Sequence, residues 1–111
     1  MDNPVIDQHG TKTWYQHGKV HRDNGPAIER SNGDKSWYQH GKIHRAAGPA
    51  YKTASGTKIW YKHSLVHRAD GPAIEYANGD KSWHLNDQRL TFDQWLNEAK
   101  KFIEDNFKGM F

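Results

Sequence analysis

The 111-residue sequence predicts a mainly β protein: a repeat-built antiparallel sheet closed by one C-terminal amphipathic helix. Three observations predict it. Trp14, Trp37, Trp60 and Trp83 recur every 23 residues. Gly-containing turn dipeptides fall at constant offsets from each Trp, separating short alternating segments. After Leu90 the pattern changes to apolar residues at helical spacing.

Composition bounds the core. Hydrophobic residues make up 34% of the chain and mean hydropathy is −1.09, so the core is thin. Aromatic residues nevertheless reach 13%, with five Trp, unlike a disordered chain. The absence of Cys excludes disulfides, thiolate nucleophiles and Cys-based zinc sites, and fits a reducing compartment. No apolar run has the length of a membrane span, and the opening MDNPVIDQHG lacks the features of a signal peptide. The expectation is a cytoplasmic protein with no membrane partner. Residues 10–90 carry 13 basic and 7 acidic side chains, which favours anionic partners.

The repeat reads G-x-K-x-W-Y-x-x-G-x-x-H-R-x-x-G-P-A followed by five residues. It divides residues 1–90 into a truncated unit 1–9, units 10–32, 33–55 and 56–78, and a partial unit 79–90. Asn32-Gly33 and Asn78-Gly79 predict two-residue hairpin turns. On that geometry Ile28 pairs with Trp37 and Ile74 with Trp83. By the same counting Tyr51 pairs with Trp60 and Val5 with Trp14. This register places Arg30 opposite Lys35, an unfavourable pair.

A second turn follows at His17-Gly18, His40-Gly41, His63-Ser64 and Asn86-Asp87. It pairs Trp14 with His21, Trp37 with His44, Trp60 with His67, and Trp83 with Leu90. On the other face it pairs Tyr15 with Val20, Tyr38 with Ile43 and Tyr61 with Val66. Gly-Pro then ends the strand, because Pro cannot donate to a ladder. No unit can bury its Trp face alone, so the units must stack.

Residues 91–111 read as a capping helix. Thr91 is an N-cap, Gln94 stands at the capping-box position, and Leu90 and Trp95 stand at the staple positions. Phe92, Trp95, Leu96, Ala99, Phe102, Ile103 and Phe107 form an apolar stripe, and Gly109 is the stop. The helix covers the last sheet edge or offers a homo-oligomer contact.

The W-Y-x-x-G-x-x-H-R-x-x-G-P-A unit resembles MORN-like short repeats of small bacteriophage and bacterial proteins. The ending W-H-L-N-D-Q-R-L-T-F-D-Q-W-L is similar to their usual close, an L-N-G-K-x-L-T segment leading into a helix. The resemblance spans about residues 4–100 and departs from the usual loop Gly at Ser64 and Asp87. It implies one curved antiparallel sheet and a binding role. For phage members it implies host takeover or anti-defence in the bacterial host cytoplasm.

Eight His invite a metal reading through the H-x3-H spacing at 17/21, 40/44 and 63/67. The register opposes it, since one His of each pair lies in a turn and the other in a strand. No metal or other cofactor is expected. His21, His44 and His67 with Arg22, Arg45 and Arg68 are the candidate ligand-binding residues, with Tyr38 as an adjacent ring. Structurally, the His satisfies a loop carbonyl and the Arg bonds an acid or covers an aromatic ring. The middle unit lacks the acid: it has Ala46-Ala47 where the others have Asp23 or Asp70. Functionally, Arg forks suit phosphate or carboxylate. No catalytic constellation recurs, so the expected function is non-enzymatic binding. The partner is an anionic nucleotide or the acidic face of a host protein. A general protein-interaction module is the alternative; a nucleic-acid binder and a His-dependent metal enzyme rank below it.

Overall fold

The computed structural model describes residues 3–106, with side chains to Lys101. The strands are short. They are β1 (Val5–Ile6), β2 (Lys12–Thr13), β3 (Tyr15–Gln16), β4 (Lys19–Val20), β5 (Ile28–Glu29), β6 (Lys35–Ser36), β7 (Tyr38–Gln39) and β8 (Lys42–Ile43). There follow β9 (Tyr51–Lys52), β10 (Lys58–Ile59), β11 (Tyr61–Lys62), β12 (Leu65–Val66), β13 (Ile74–Glu75), β14 (Lys81–Leu85), β15 (Gln88–Leu90) and helix α1 (Phe92–Asn106). Nine of them form one antiparallel sheet in the order β1-β2-β5-β6-β9-β10-β13-β14-β15. Three hairpins, β3-β4, β7-β8 and β11-β12, project from it.

The hairpins have the expected register. Tyr15 pairs with Val20, Tyr38 with Ile43 and Tyr61 with Val66. The N–H groups of His21, His44 and His67 donate to the carbonyls of Trp14, Trp37 and Trp60 at 2.9–3.0 Å. Trp83 pairs with Leu90. Each turn has two residues of positive φ, as a type I′ turn requires. The φ values are 52° and 76° at His17-Gly18, and 50° and 70° at His63-Ser64. Asn86-Asp87 adopts the same form at 49° and 70°, so loss of the usual Gly at Ser64 and Asp87 leaves the turn intact.

The turns between units differ from expectation. Each is a three-residue loop, not a two-residue one. The Gly33 N–H donates to the Arg30 carbonyl at 3.0 Å and the Arg30 N–H to the Asp34 carbonyl at 2.9 Å. Gly33 has φ 98°, while Asn32 keeps negative φ. This is a type I turn followed by a bulge glycine. Asp7–Thr11, Thr53–Thr57 and Tyr76–Asp80 repeat it. Type I′ needs two residues of positive φ; this loop needs only the Gly, which is what His9-Gly10, Asn32-Gly33, Ser55-Gly56 and Asn78-Gly79 share.

The extra residue shifts the register by one and exchanges the faces. Ile28 pairs with Ser36, Tyr51 with Ile59, Ile74 with Ser82 and Val5 with Thr13, so none pairs with a Trp. The ladder position of each Trp belongs instead to the alanine of Gly-Pro-Ala. The N–H groups of Trp14, Trp37 and Trp60 donate to the carbonyls of Ala27, Ala50 and Ala73 at 2.7–2.8 Å. Those three alanines are 0% exposed. Trp14 is buried, while Trp37, Trp60 and Trp83 are half-buried, so the aromatic row is thinner than a conventional core. The unfavourable Arg30–Lys35 pairing disappears, because Lys35 stands opposite Glu29.

The capping box forms as read. The Thr91 N–H donates to Gln94 Oε1 at 3.0 Å, and the Gln94 N–H donates to Thr91 Oγ1 at 3.2 Å. Trp95 and Ala99 are buried against the last strands. The Trp95 ring lies 4.7 Å from that of Trp83, and its Nε1–H donates to the Arg68 carbonyl at 2.8 Å. Phe107 and Gly109 lie outside the described residues, as do the side chains of Phe102 and Ile103. Among the described residues no helix is long and apolar enough to cross a membrane.

Three substitutions test these turns and the alanine packing by stability. Ser64→Gly should stabilise by about 1 kcal/mol in denaturant melts, because Ser64 occupies left-handed backbone at a cost Gly does not incur. Asp87→Gly should gain less, because Asp87 Oδ1 accepts the Val66 N–H at 2.6 Å. Ala50→Leu should cost about 1–3 kcal/mol by overfilling the space opposite Trp37.

Candidate functional site

The His-Arg and Gly-Pro-Ala motifs form one assembly around each Trp. The guanidinium carbons of Arg22, Arg45 and Arg68 lie 3.8, 4.1 and 3.8 Å from the ring centroids of Trp14, Trp37 and Trp60. The other side of each guanidinium rests on the Gly of Gly-Pro-Ala. A Cβ at Gly48 would stand 3.0 Å from the Arg45 guanidinium carbon, and one at Gly71 2.7 Å from that of Arg68. Only a residue without a side chain leaves this room. Nη1 of each Arg then donates to the Pro carbonyl, Pro26, Pro49 or Pro72, at 3.1 Å. The repeated Arg is therefore a structural clamp, with a cation–π contribution of about 0.5–2 kcal/mol.

The histidines join neighbouring units. His21 Nδ1 accepts the His40 N–H at 2.9 Å, His44 Nδ1 accepts the His63 N–H at 3.1 Å, and His67 Nδ1 accepts the Asn86 N–H at 3.1 Å. Accepting at Nδ1 requires that nitrogen to be unprotonated. In His21 the proton therefore lies on Nε2, which donates to Asp23 Oδ1 at 2.7 Å. The rings that meet are His21 with His40 (4.6 Å) and His44 with His63 (4.4 Å), each pair 19 residues apart. The H-x3-H pairs do not form the contact. Among the described residues no group of three or more His, Asp or Glu side chains is placed to hold a metal ion.

The three arginines differ in their counter-charges. Arg22 Nη1 donates to Glu29 at 3.2 Å, while Asp23 has turned to His21 and leaves Arg22 Nε buried without an acceptor. Arg68 meets two carboxylates, Glu75 at 2.9 Å and Asp70 at 2.9 Å. Arg45 meets none among the described residues: Ala46 and Ala47 replace the loop acid, and Lys52 stands where the other units have Glu29 and Glu75. Half-buried beside Trp37, Arg45 has no ion-pair partner among the described residues.

Two clefts flank it. One, of about 420 Å³, is lined by His44, Arg45, Trp60, Tyr61, His67 and Arg68 among others. The other, of about 470 Å³, lies between Arg22, Trp37, His44 and Arg45. Small-ligand sites begin at about 300 Å³. Tyr38 lines neither cleft; it lies in hairpin β7-β8, with its carbonyl accepting the Arg22 N–H at 3.3 Å. His21 is 6% exposed with both ring nitrogens engaged, which leaves it no atom for a ligand. Of the predicted residues, the structure brings Arg45, His44, His67 and Arg68 together around one cleft. Tyr61, paired with Val66 as expected, joins them there.

Burial holds the imidazoles of His44 and His67 below the ordinary value of 6.5; for His44 the nearby His63 and Lys62 add to this, and for His67 Lys62 does. A lowered native pKa means that the folded state favours the neutral ring. The resulting stability is complete above about pH 6.5 and is lost as pH falls through the lowered native values. Thermal melts should therefore show a falling Tm between about pH 7 and 5. The double variant His44→Gln, His67→Gln should flatten that slope; an unchanged slope refutes the assignment.

Comparison with protein-family models, with curated proteins and with solved structures returns no match.

Proposed function

We propose that the protein is a non-enzymatic binding module that receives an anionic group at its middle repeat unit. One observation carries this reading: Arg45 holds the same clamped position as Arg22 and Arg68, yet among the described residues no carboxylate bonds it as Glu29 and Glu75 bond them. A preorganised guanidinium without a counter-charge is a receptor for phosphate or carboxylate. One of the two clefts beside Arg45 adds the rings of Trp60 and Tyr61 and the Arg68–Asp70 ion pair to its lining. The reading is non-enzymatic because His21, His44 and His67 accept backbone N–H groups at Nδ1 as structural links.

On this reading, and on the resemblance to phage repeats, the module acts by occupancy. It sequesters an anionic nucleotide signal or covers an acidic face of a host protein.

Calorimetric titration with linear and cyclic nucleotides, together with pull-down from bacterial lysate, tests the proposal. Arg45→Ala should weaken binding about tenfold or more, since a charge-assisted bond contributes about 1.5–3 kcal/mol. A ligand that Arg45→Ala binds as tightly as the parent protein sinks the assignment.

A further inference from the structure

The register of the main sheet brings together residues that the sequence keeps apart. Directly paired residues share a face, so Lys12, Glu29, Lys35, Lys52, Lys58, Glu75 and Lys81 form one row across seven neighbouring strands. In the outer units the row alternates in sign. Glu29 lies between Lys12 and Lys35, and Glu75 lies between Lys58 and Lys81. In the middle the alternation fails: Lys52 stands directly opposite both Lys35 and Lys58. Like charges in direct opposition oppose sheet formation, so this substitution works against the fold.

Arg45 belongs to the same cluster. Its counterparts Arg22 and Arg68 bond Glu29 and Glu75, the residues that Lys52 replaces. The middle unit thus gathers Lys35, Arg45, Lys52 and Lys58: among the described residues none of the four forms an ion pair, and the carboxylates opposite Lys35 and Lys58, Glu29 and Glu75, are bonded to Arg22 and Arg68.

We propose that Lys35, Arg45, Lys52 and Lys58 form a cationic strip that docks an acidic segment of a partner protein, an extension that rests on the anion-binding reading of the middle unit. The shape and chemistry of the strip select this occupant. Lys35 and Lys58 are exposed, and none of the three lysines lines either cleft beside Arg45, so the strip is an open surface suited to a macromolecule. Neighbouring strands lie about 4.8 Å apart, which makes the lysine row about 10 Å long. Residues at i and i+4 on a helix have Cβ atoms about 5–6 Å apart, close to the spacing between strands. A single-stranded nucleic acid requires open aromatic rings for base stacking as well as positive charge. The rings that alternate with these lysines, Trp37 and Trp60, are covered by Arg45 and Arg68.

Fluorescence anisotropy with a labelled helical peptide bearing Glu at i, i+4 and i+8 tests the strip. Its Gln analogue and an oligothymidine of equal charge serve as competitors. The glutamate peptide should bind, the Gln analogue should not, and binding should weaken as salt screens the charges. Lys52→Glu introduces the residue the sister units carry, restores the alternation and supplies Arg45 with a partner, so it should fold and raise Tm. It should weaken peptide binding about tenfold or more. Lys52→Gln should weaken it less. Unchanged binding in a folded Lys52→Glu protein overturns the strip, as does a preference for oligothymidine over the peptide. Arg45-dependent nucleotide binding without peptide binding would retain the anion site and reject the strip. Absence of both would reject the two together.

Discussion

At Trp14, Trp37 and Trp60 one residue belongs to two ladders. Its N–H bonds to the alanine carbonyl across the main sheet, and its carbonyl accepts the histidine N–H of its own projecting hairpin. The chain leaves the sheet at this residue and returns at Gly-Pro-Ala, so the branching depends on both bonds forming at once. The ring is held by the same return segment: Ala closes the ladder, Gly admits the guanidinium that covers the ring, and the Pro carbonyl anchors it. A chain with little apolar surface thereby obtains a core from one ring, one cation and one methyl group per unit.

Side chains bonded to backbone join the units at the turns on both ends of the strands. On the hairpin side, histidine Nδ1 accepts the N–H of the next turn. On the other side, Asp34 and Thr57 accept the N–H groups of Ala54 and Ala77 at 2.8 and 3.1 Å. These bonds satisfy turn donors that would otherwise be unpaired. They also couple unit stacking to the protonation state of the histidines, because a ring protonated at Nδ1 has no lone pair there to accept.

In a repeat architecture, a residue kept in every unit reports the demands of stacking, and a residue changed in one unit reports something else. The arginines, glycines and prolines of the clamp are of the first kind. Ala46, Ala47 and Lys52 are of the second: among the described residues they leave Arg45 without a carboxylate partner, while its clamp with Trp37, Gly48 and Pro49 is unchanged. Arg45 and Lys52 both belong to the middle unit, so the change is concentrated at one place in the sheet.

Local chemistry decided much of this protein in advance. The helix start is written in Thr91 and Gln94 because a capping box involves only one turn. The His-Gly hairpins are readable because two residues of positive φ admit one register, and the missing loop acid of the middle unit is visible in Ala46-Ala47. The Asn-Gly turns were ambiguous, since a two-residue type I′ loop and a three-residue loop with a bulge glycine share that signature and differ by one residue of register. Only the assembled sheet chose between them, by placing Ala27, Ala50 and Ala73 opposite the tryptophans. That choice put Lys52 between Lys35 and Lys58 and set His21 and His44 against His40 and His63. Contacts between stacked units depend on register and stacking distance, which spacing within a single unit does not encode.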